Sequence, residues 1–115
     1  MELLPPECGF DSCTPDQLFK YIMNQRETEI LDILQEECAE VIQMVSKCRR
    51  FGIDNQHLKA DRPNREKLTE EIGDLLCMIR LAQEYGIVDT TEVIEASLKK
   101  REKLHAWSNI FKETA

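Results

Sequence analysis

Two short acidic motifs constrain the fold of this chain more than any other feature of its sequence. Glu37 is followed three residues later by Glu40, within the stretch LQEECAEVI at residues 34–42. Glu71 is followed three residues later by Asp74, within LTEEIGDLL at residues 68–76. Residues three or four apart lie on the same face of an α-helix. Each motif therefore predicts a pair of carboxylates that project from one side of a helix.

Both motifs lie among apolar residues at helical spacing. Those around the first motif are Ile30, Ile33, Leu34, Val41, Met44 and Val45, and those around the second are Ile72, Leu75, Leu76, Met78 and Ile79. Charge on a core-facing stripe is unfavourable unless it is paired or binds a metal. Four inward carboxylates from two helices would suit Mg²⁺, which takes oxygen ligands. The alternative is that the acids lie on solvated helix edges and pair with Lys or Arg.

Composition favours a single helical domain and excludes several partners. The chain has 115 residues, of which 42% are hydrophobic and 32% charged, and its net charge is −7. The acidic balance argues against a nucleic acid or an anionic membrane surface as the main partner. No apolar run is long enough to span a membrane. An acidic protein that handles polyphosphate needs a cation to bridge the like charges, which agrees with the carboxylate motifs.

The N-terminal residues and the cysteines bear on localisation. Residues 1–13 are predicted to form an irregular arm that precedes one helical domain at residues 14–115, and their composition is not that of a signal peptide. The cysteines number five, which is odd, and no two of them form a C-x-x-C pair. A disulfide framework is therefore not expected, and the reducing cytoplasm is the expected location of the protein. Cys38, Cys48 and Cys77 fall in helical segments as small apolar residues. Two histidines without ligand spacing argue against zinc.

Capping signals divide residues 14–108 into four predicted helices. Thr14 should cap a short first helix that ends at about Met23. The polar residues 24–28 should break or bend the chain there. The second helix should run from about Glu27 to Phe51 and stop at Gly52. Asn64 is the expected N-cap of a third helix at residues 65–84, and Asp89 that of a fourth at 90–108. Gly73 inside the third helix predicts close helix packing beside the acidic site, or simple tolerance.

The paired motifs resemble the ExxE…ExxD signature of the all-α nucleoside triphosphate pyrophosphatases, the MazG-type family. The wider match includes Ser46-Lys47-Cys48-Arg49-Arg50-Phe51-Gly52 and Asn64-Arg65-Glu66, and is similar to the short, phage-like branch. It extends from about Ile30 to Trp107. The resemblance implies an all-α bundle of four to five helices that forms a homodimer or homotetramer.

The resemblance also implies an activity and a set of site residues. Such enzymes are Mg²⁺-dependent hydrolases, with Mn²⁺ as an alternative cofactor, that cleave a nucleoside triphosphate between its α and β phosphates to give the monophosphate and pyrophosphate. The metal ligands would be Glu37, Glu40, Glu71 and Asp74. Adjacency suggests Glu36 and Glu70 as catalytic groups that orient or deprotonate the attacking water.

Basic residues are candidates for contact with the substrate phosphates. Lys47 lies two turns beyond Glu40 on the same face, and Arg50 suits bidentate contact with phosphate. The alternative for both is a favourable interaction with the C-terminal helix dipole. Lys100 in the last helix is the third candidate, in competition with Lys99 and Lys103, and it could equally reach the solvated edge.

Two other classes of function compete with the enzyme. A non-catalytic helical module that senses a nucleotide or binds a partner would have no reason to keep inward charge. A metal-storing or redox carboxylate bundle would need the Glu-x-x-His motifs that this sequence lacks. The hydrolase is therefore the prediction, with the interaction module as its alternative. The preferred base and sugar do not follow from the sequence.

Overall fold

The computed structural model describes residues 14–56 and 62–113, with no side-chain detail for residues 18–23. The described ranges contain three α-helices: α1 at Pro15–Phe51, α2 at Asn64–Glu84 and α3 at Thr90–Trp107. No strand occurs in these ranges, and the predicted all-α fold class is confirmed. The expected arm at residues 1–13, with Cys8 and Cys13, lies outside the described residues.

The predicted break between the first and second helices is wrong, because α1 is one helix of 37 residues. The polar residues 24–28 continue the helix, and the Thr28 hydroxyl donates to the Asn24 carbonyl at 3.0 Å within it. Polar composition alone does not end a helix when no Gly or Pro removes its backbone hydrogen bonds. The long helix places the first acidic motif well inside a continuous element.

The predicted helix ends at Thr14, Gly52 and Asp89 are confirmed. Thr14 forms a capping box with Gln17, and the Asp89 side chain accepts from the Glu92 backbone N–H at 2.9 Å. Gly52 follows α1 at φ 98°, a backbone conformation that favours glycine. Its N–H donates to the Cys48 carbonyl and satisfies one of the last free carbonyls of the helix.

Helices α1 and α2 pack against each other as an antiparallel hairpin with a small core. The buried hydrophobic residues in the described ranges are Ile30, Met44, Met78 and Ala82. Ile30, Met78 and Ala82 form one cluster at the open end of the hairpin, which is the end away from the connection between α1 and α2. At the same end, the Arg26 guanidinium lies 4.7 Å from the centre of the Tyr85 ring, a cation–π contact between α1 and the end of α2.

Helix α3 extends from this hairpin without burying any of its residues. Trp107 is 85% exposed, whereas Phe111 folds back and stacks on His105 with ring centres 4.0 Å apart. The radius of gyration of the Cα atoms is 20.1 Å, against about 13 Å expected for a compact domain of this length. Much apolar surface of the chain therefore remains open.

Gly73 does not lie at a close helix contact. A Cβ atom built at Gly73 would meet no described atom within 4 Å, so the close-packing interpretation is wrong for the single chain. Cys38, Cys48 and Cys77 are free thiols on the helices, and Cys38 and Cys77 are exposed. The described helices contain no apolar stretch of the length needed to span a lipid bilayer.

Candidate metal centre

The hairpin brings one carboxylate of α1 next to two of α2. Glu37, Glu71 and Asp74 each place a carboxylate oxygen so that the three oxygens lie within 4.8 Å of one another. Glu37 and Glu71 are half-buried and Asp74 is exposed, so the group opens to solvent on one side. We call these three residues the acidic centre. Both sequence motifs contribute to it, although they are separated by 30 residues.

Glu40, the fourth predicted ligand, lies beside the acidic centre and not within the group of three. Its side chain is exposed, and its negative charge raises the pKa of both Glu37 and Glu71. Glu40 is therefore near enough to act on the centre electrostatically.

The acidic centre is electrostatically unfavourable as it stands. Burial, followed by the negative charges of Asp74, Glu40 and Glu36, raises the pKa of Glu37 above its ordinary value. Burial is also the largest cause at Glu71, whose pKa is raised further by Glu40, Asp74, Glu37 and Glu70. Like charges that cannot separate disfavour ionisation of one another.

The donor set fits a hard divalent cation. Among the Lys and Arg side chains that the structure describes, none forms an ion pair with Glu37, Glu71 or Asp74. Carboxylate oxygens are the ligands that Mg²⁺ and Mn²⁺ prefer, and Mg²⁺ is commonly held by one or two carboxylates with water and substrate phosphates. The open side of the centre leaves room for such further ligands.

The two predicted catalytic groups have different surroundings. Glu36 is exposed next to Glu37. Glu70 forms an ion pair with Arg62, whose guanidinium donates to a Glu70 oxygen. This contact occupies one of the two carboxylate oxygens of Glu70. Sequence reasoning missed Arg62, since nothing in the pattern links it to a residue eight positions away.

The three predicted phosphate-binding cations are exposed and lie at different places. Lys47 is on α1, about 10 Å along the helix axis from Glu40. The Arg50 guanidinium lies over the ring of Phe51, 5.0 Å from its centre. Lys100 is on α3, which has no buried residue, so packing within the single chain does not hold it at the acidic centre.

The connection between α1 and α2 contains polar contacts that the sequence did not indicate. Asn64 was the expected N-cap of α2, but Pro63 takes that position, and Asn64 is buried at the first residue of the helix. Its Nδ2 atom donates to the Gly52 carbonyl at 3.0 Å. Arg65 donates from Nε to Asp54 at 2.8 Å, which raises the pKa of Arg65 and lowers that of Asp54.

Comparison with known families gives a match over most of the chain. The sequence model of the MazG nucleotide pyrophosphohydrolase domain matches residues 25–108, a range that contains both acidic motifs, α2 and α3. Searches of curated proteins and of solved structures give no match.

Proposed function

The chain belongs to the MazG nucleotide pyrophosphohydrolase family, and we propose that it hydrolyses nucleoside or deoxynucleoside triphosphates to the monophosphate and pyrophosphate with the help of Mg²⁺. The observation that carries this proposal is the meeting of Glu37, Glu71 and Asp74 within 4.8 Å, with no cationic partner among the described residues. Water would add to phosphorus as the bond between the α and β phosphates breaks. Mn²⁺ is the alternative cofactor.

The acidic centre would bind the cation and position it against the phosphates. Glu37, Glu71 and Asp74 would be the ligands, joined by Glu40 through a change of its side-chain rotamer. A bound Mg²⁺ would offset the negative charge of the triphosphate and favour ionisation of an attacking water. Catalysis would then depend mainly on positioning and electrostatic stabilisation.

Glu36 is the better candidate for the group that accepts the proton from water. Glu36 is free of any ion pair with the described residues, whereas Glu70 is engaged by Arg62. The Arg62 guanidinium occupies one oxygen of Glu70, so the Glu70 carboxylate is less free than that of Glu36 to turn towards a water molecule. Glu70 would instead orient Arg62 at the edge of the centre.

Of the three candidate cations, Lys47 would contact phosphate with the least movement, whereas Arg50 and Lys100 would have to move further. Lys47 is exposed on the face of α1 that carries Glu40. Arg50 would have to leave the Phe51 ring. Lys100 would reach a site only through repositioning of α3 or through a second copy of the chain.

We also propose that the active form is a homodimer or homotetramer. The α1 residues Leu31, Ile42 and Val45 lie along one helical stripe, are all exposed, and face away from the buried Met44. We call them the outer stripe. Helices α2 and α3 also expose Ile72, Leu76, Ile94 and Leu98. Exposed apolar surface of this extent indicates an interaction site, and copies of the same chain would cover it.

Product analysis tests the proposed reaction. Ribo- and deoxynucleoside triphosphates are incubated with the protein in Mg²⁺, in Mn²⁺ and in EDTA, and the nucleotide and phosphate products are separated. We expect monophosphate and pyrophosphate in equal amounts, and none in EDTA. Diphosphate with orthophosphate would contradict the proposed cleavage site. No product with any substrate, although metal binds, would favour the non-catalytic nucleotide-sensing or partner-binding module.

A further inference from the structure

The segments that join α1 and α2 are held together by hydrogen bonds at the base of the hairpin. The Asn64 and Arg65 backbone N–H groups donate to the Asn55 and Ile53 carbonyls, at 2.8 and 2.7 Å. The first N–H groups of a helix have no partner within the helix, and here two of them are satisfied by the chain that leaves α1. These bonds fix the position at which α2 begins.

Side chains add to the same connection. The Asn64 side chain donates to the Gly52 carbonyl, and at 7% exposure Asn64 is the buried polar residue of the described ranges. Asp54 accepts two bonds from the Arg65 guanidinium, at 2.8 and 3.3 Å. We call Gly52, Asp54, Asn64 and Arg65, with their hydrogen bonds, the hairpin clamp.

Packing alone is a weak determinant of helix register near the acidic centre. The buried cluster of Ile30, Met78 and Ala82 lies at the open end, and Met44 is the other buried hydrophobic residue of the described hairpin. The three carboxylates of the centre place oxygens within 4.8 Å of one another, and like charges at that distance repel. The centre thus lies between an apolar contact at one end and the clamp at the other.

We propose that Asn64 is a positioning residue of the acidic centre, because the hairpin clamp sets the register at which the α2 carboxylates meet Glu37. Asn64 precedes Glu71 by seven residues, which is two helical turns on nearly the same face. A slip of α2 by one turn would move its carboxylates about 5.4 Å, more than the 4.8 Å within which the three oxygens meet. This inference rests on the proposed metal-dependent function.

Mn²⁺ binding to wild type and Asn64→Leu tests the role without relying on turnover. Leucine has nearly the shape of asparagine but donates no hydrogen bond. Free Mn²⁺ is followed by electron paramagnetic resonance at a temperature where circular dichroism shows each variant folded. We expect Asn64→Leu to bind Mn²⁺ about tenfold more weakly or worse, and Asn64→Gln, which keeps the amide donor, to recover part of the affinity.

Thr14→Ala is the matched control for a general loss of stability. It removes the capping box of α1, 23 residues before Glu37, and leaves the hairpin clamp intact. We expect Thr14→Ala to lower the melting temperature without changing Mn²⁺ affinity. Equal losses of affinity in Thr14→Ala and Asn64→Leu would overturn the positioning role, and so would wild-type affinity in Asn64→Leu.

Two further comparisons complete the test. If Asn64→Leu does not fold, Asp54→Asn is measured instead: Mn²⁺ binding roughly threefold weaker supports the clamp, and wild-type binding overturns it. Turnover is measured in parallel. A wild type that binds Mn²⁺ but hydrolyses no triphosphate contradicts the proposed function while leaving the positioning role to be decided by affinity. A wild type that binds no Mn²⁺ contradicts both.

Discussion

The fold disfavours the ionised form of two carboxyl groups, those of Glu37 and Glu71. Both have raised pKa values, first through burial and then through neighbouring carboxylates. A carboxyl whose folded pKa is raised lowers the stability at pH values above that pKa, where the folded state must hold the charge. The effect disappears below the ordinary carboxyl pKa, because both folded and unfolded states are then protonated.

This linkage predicts the sign of a mutational effect. In EDTA at pH 7, Glu71→Gln should raise the melting temperature relative to wild type, because it removes a charge that the folded chain holds unfavourably. The difference should vanish as the pH falls to about 4 and below. Differential scanning calorimetry over this range would show it, and an equal gain at every pH would contradict the electrostatic cause.

Replacing Asp54 should affect stability at pH 7 in the opposite direction to replacing Glu71, so it serves as a control. Its pKa is lowered by the hydrogen bond and charge of Arg65, so it stabilises the fold above the ordinary carboxyl pKa and loses this effect as the pH falls through its lowered folded value. Asp54→Asn should therefore lower the melting temperature at pH 7. Its difference from wild type should shrink in acid.

A second prediction separates Glu36 from Glu70. Glu36→Gln should reduce kcat by about 10²-fold or more if Glu36 accepts the proton from water. Glu70→Gln should reduce kcat much less, since Glu70 is already engaged by Arg62. Steady-state kinetics at saturating metal measures both. Full turnover in Glu36→Gln, or a larger loss in Glu70→Gln, would contradict the assignment.

Helix boundaries were predictable where a capping residue or glycine marks them. Thr14, Gly52 and Asp89 lie where the sequence places the ends of helices. The continuity of α1 through residues 24–28 was not predicted, because exposed polar residues are compatible with both a helix and a turn. The predicted N-cap role of Asn64 is wrong by one residue. Its hydrogen bond to the Gly52 carbonyl was not predictable, because only the hairpin brings the two residues together.

Gly73 gives a prediction for helix α2. A Cβ atom at Gly73 meets no described atom within 4 Å, so Gly73→Ala should gain about 0.5–1 kcal/mol from helix propensity. The melting temperature should rise by a few degrees. Thermal unfolding monitored by circular dichroism at 222 nm measures the change. A loss of stability would show that another copy of the chain packs against Gly73.

The described helices leave a large part of their apolar surface exposed to solvent. The outer stripe on α1 and the unburied helix α3 leave Ile42 at 69% and Trp107 at 85% exposure. The amphipathic pattern of the sequence predicts the helices. It does not show which apolar face of a helix packs against another helix of the same chain. An apolar stripe that is buried in the hairpin and an apolar stripe that would be covered by a second copy of the chain have the same spacing of apolar residues, so the sequence does not distinguish them.

Light scattering after size exclusion tests the oligomer. We expect a mass of two or four times the 13.4 kDa chain at micromolar concentration. Ile42→Lys, in the outer stripe, should reduce that mass, whereas Gln43→Lys, which points about 100° away on the same helix, should not. A wild-type mass of one chain would contradict the proposed assembly.

The sequence predicted the two motifs that form the acidic centre, but it did not predict the geometry of the centre. Spacing placed the Glu37 and Glu71 motifs on helical faces. It could not show that Glu40 lies beside the group of three, since side-chain reach depends on the helix–helix distance. Nor could it pair Arg62 with Glu70. The ligand roles of these residues remain predictions.

The most direct measurement of the central claim compares Glu71→Gln with Glu84→Gln. Both replace a glutamate of α2 by its neutral isostere, but Glu84 is exposed in the last turn and far from the acidic centre. Pyrophosphate release and Mn²⁺ binding are measured for each. We predict that Glu71→Gln loses roughly 100-fold or more of its turnover and most of its Mn²⁺ binding, while Glu84→Gln keeps both. Wild-type turnover and Mn²⁺ affinity in Glu71→Gln would contradict the acidic centre as the metal site of the enzyme.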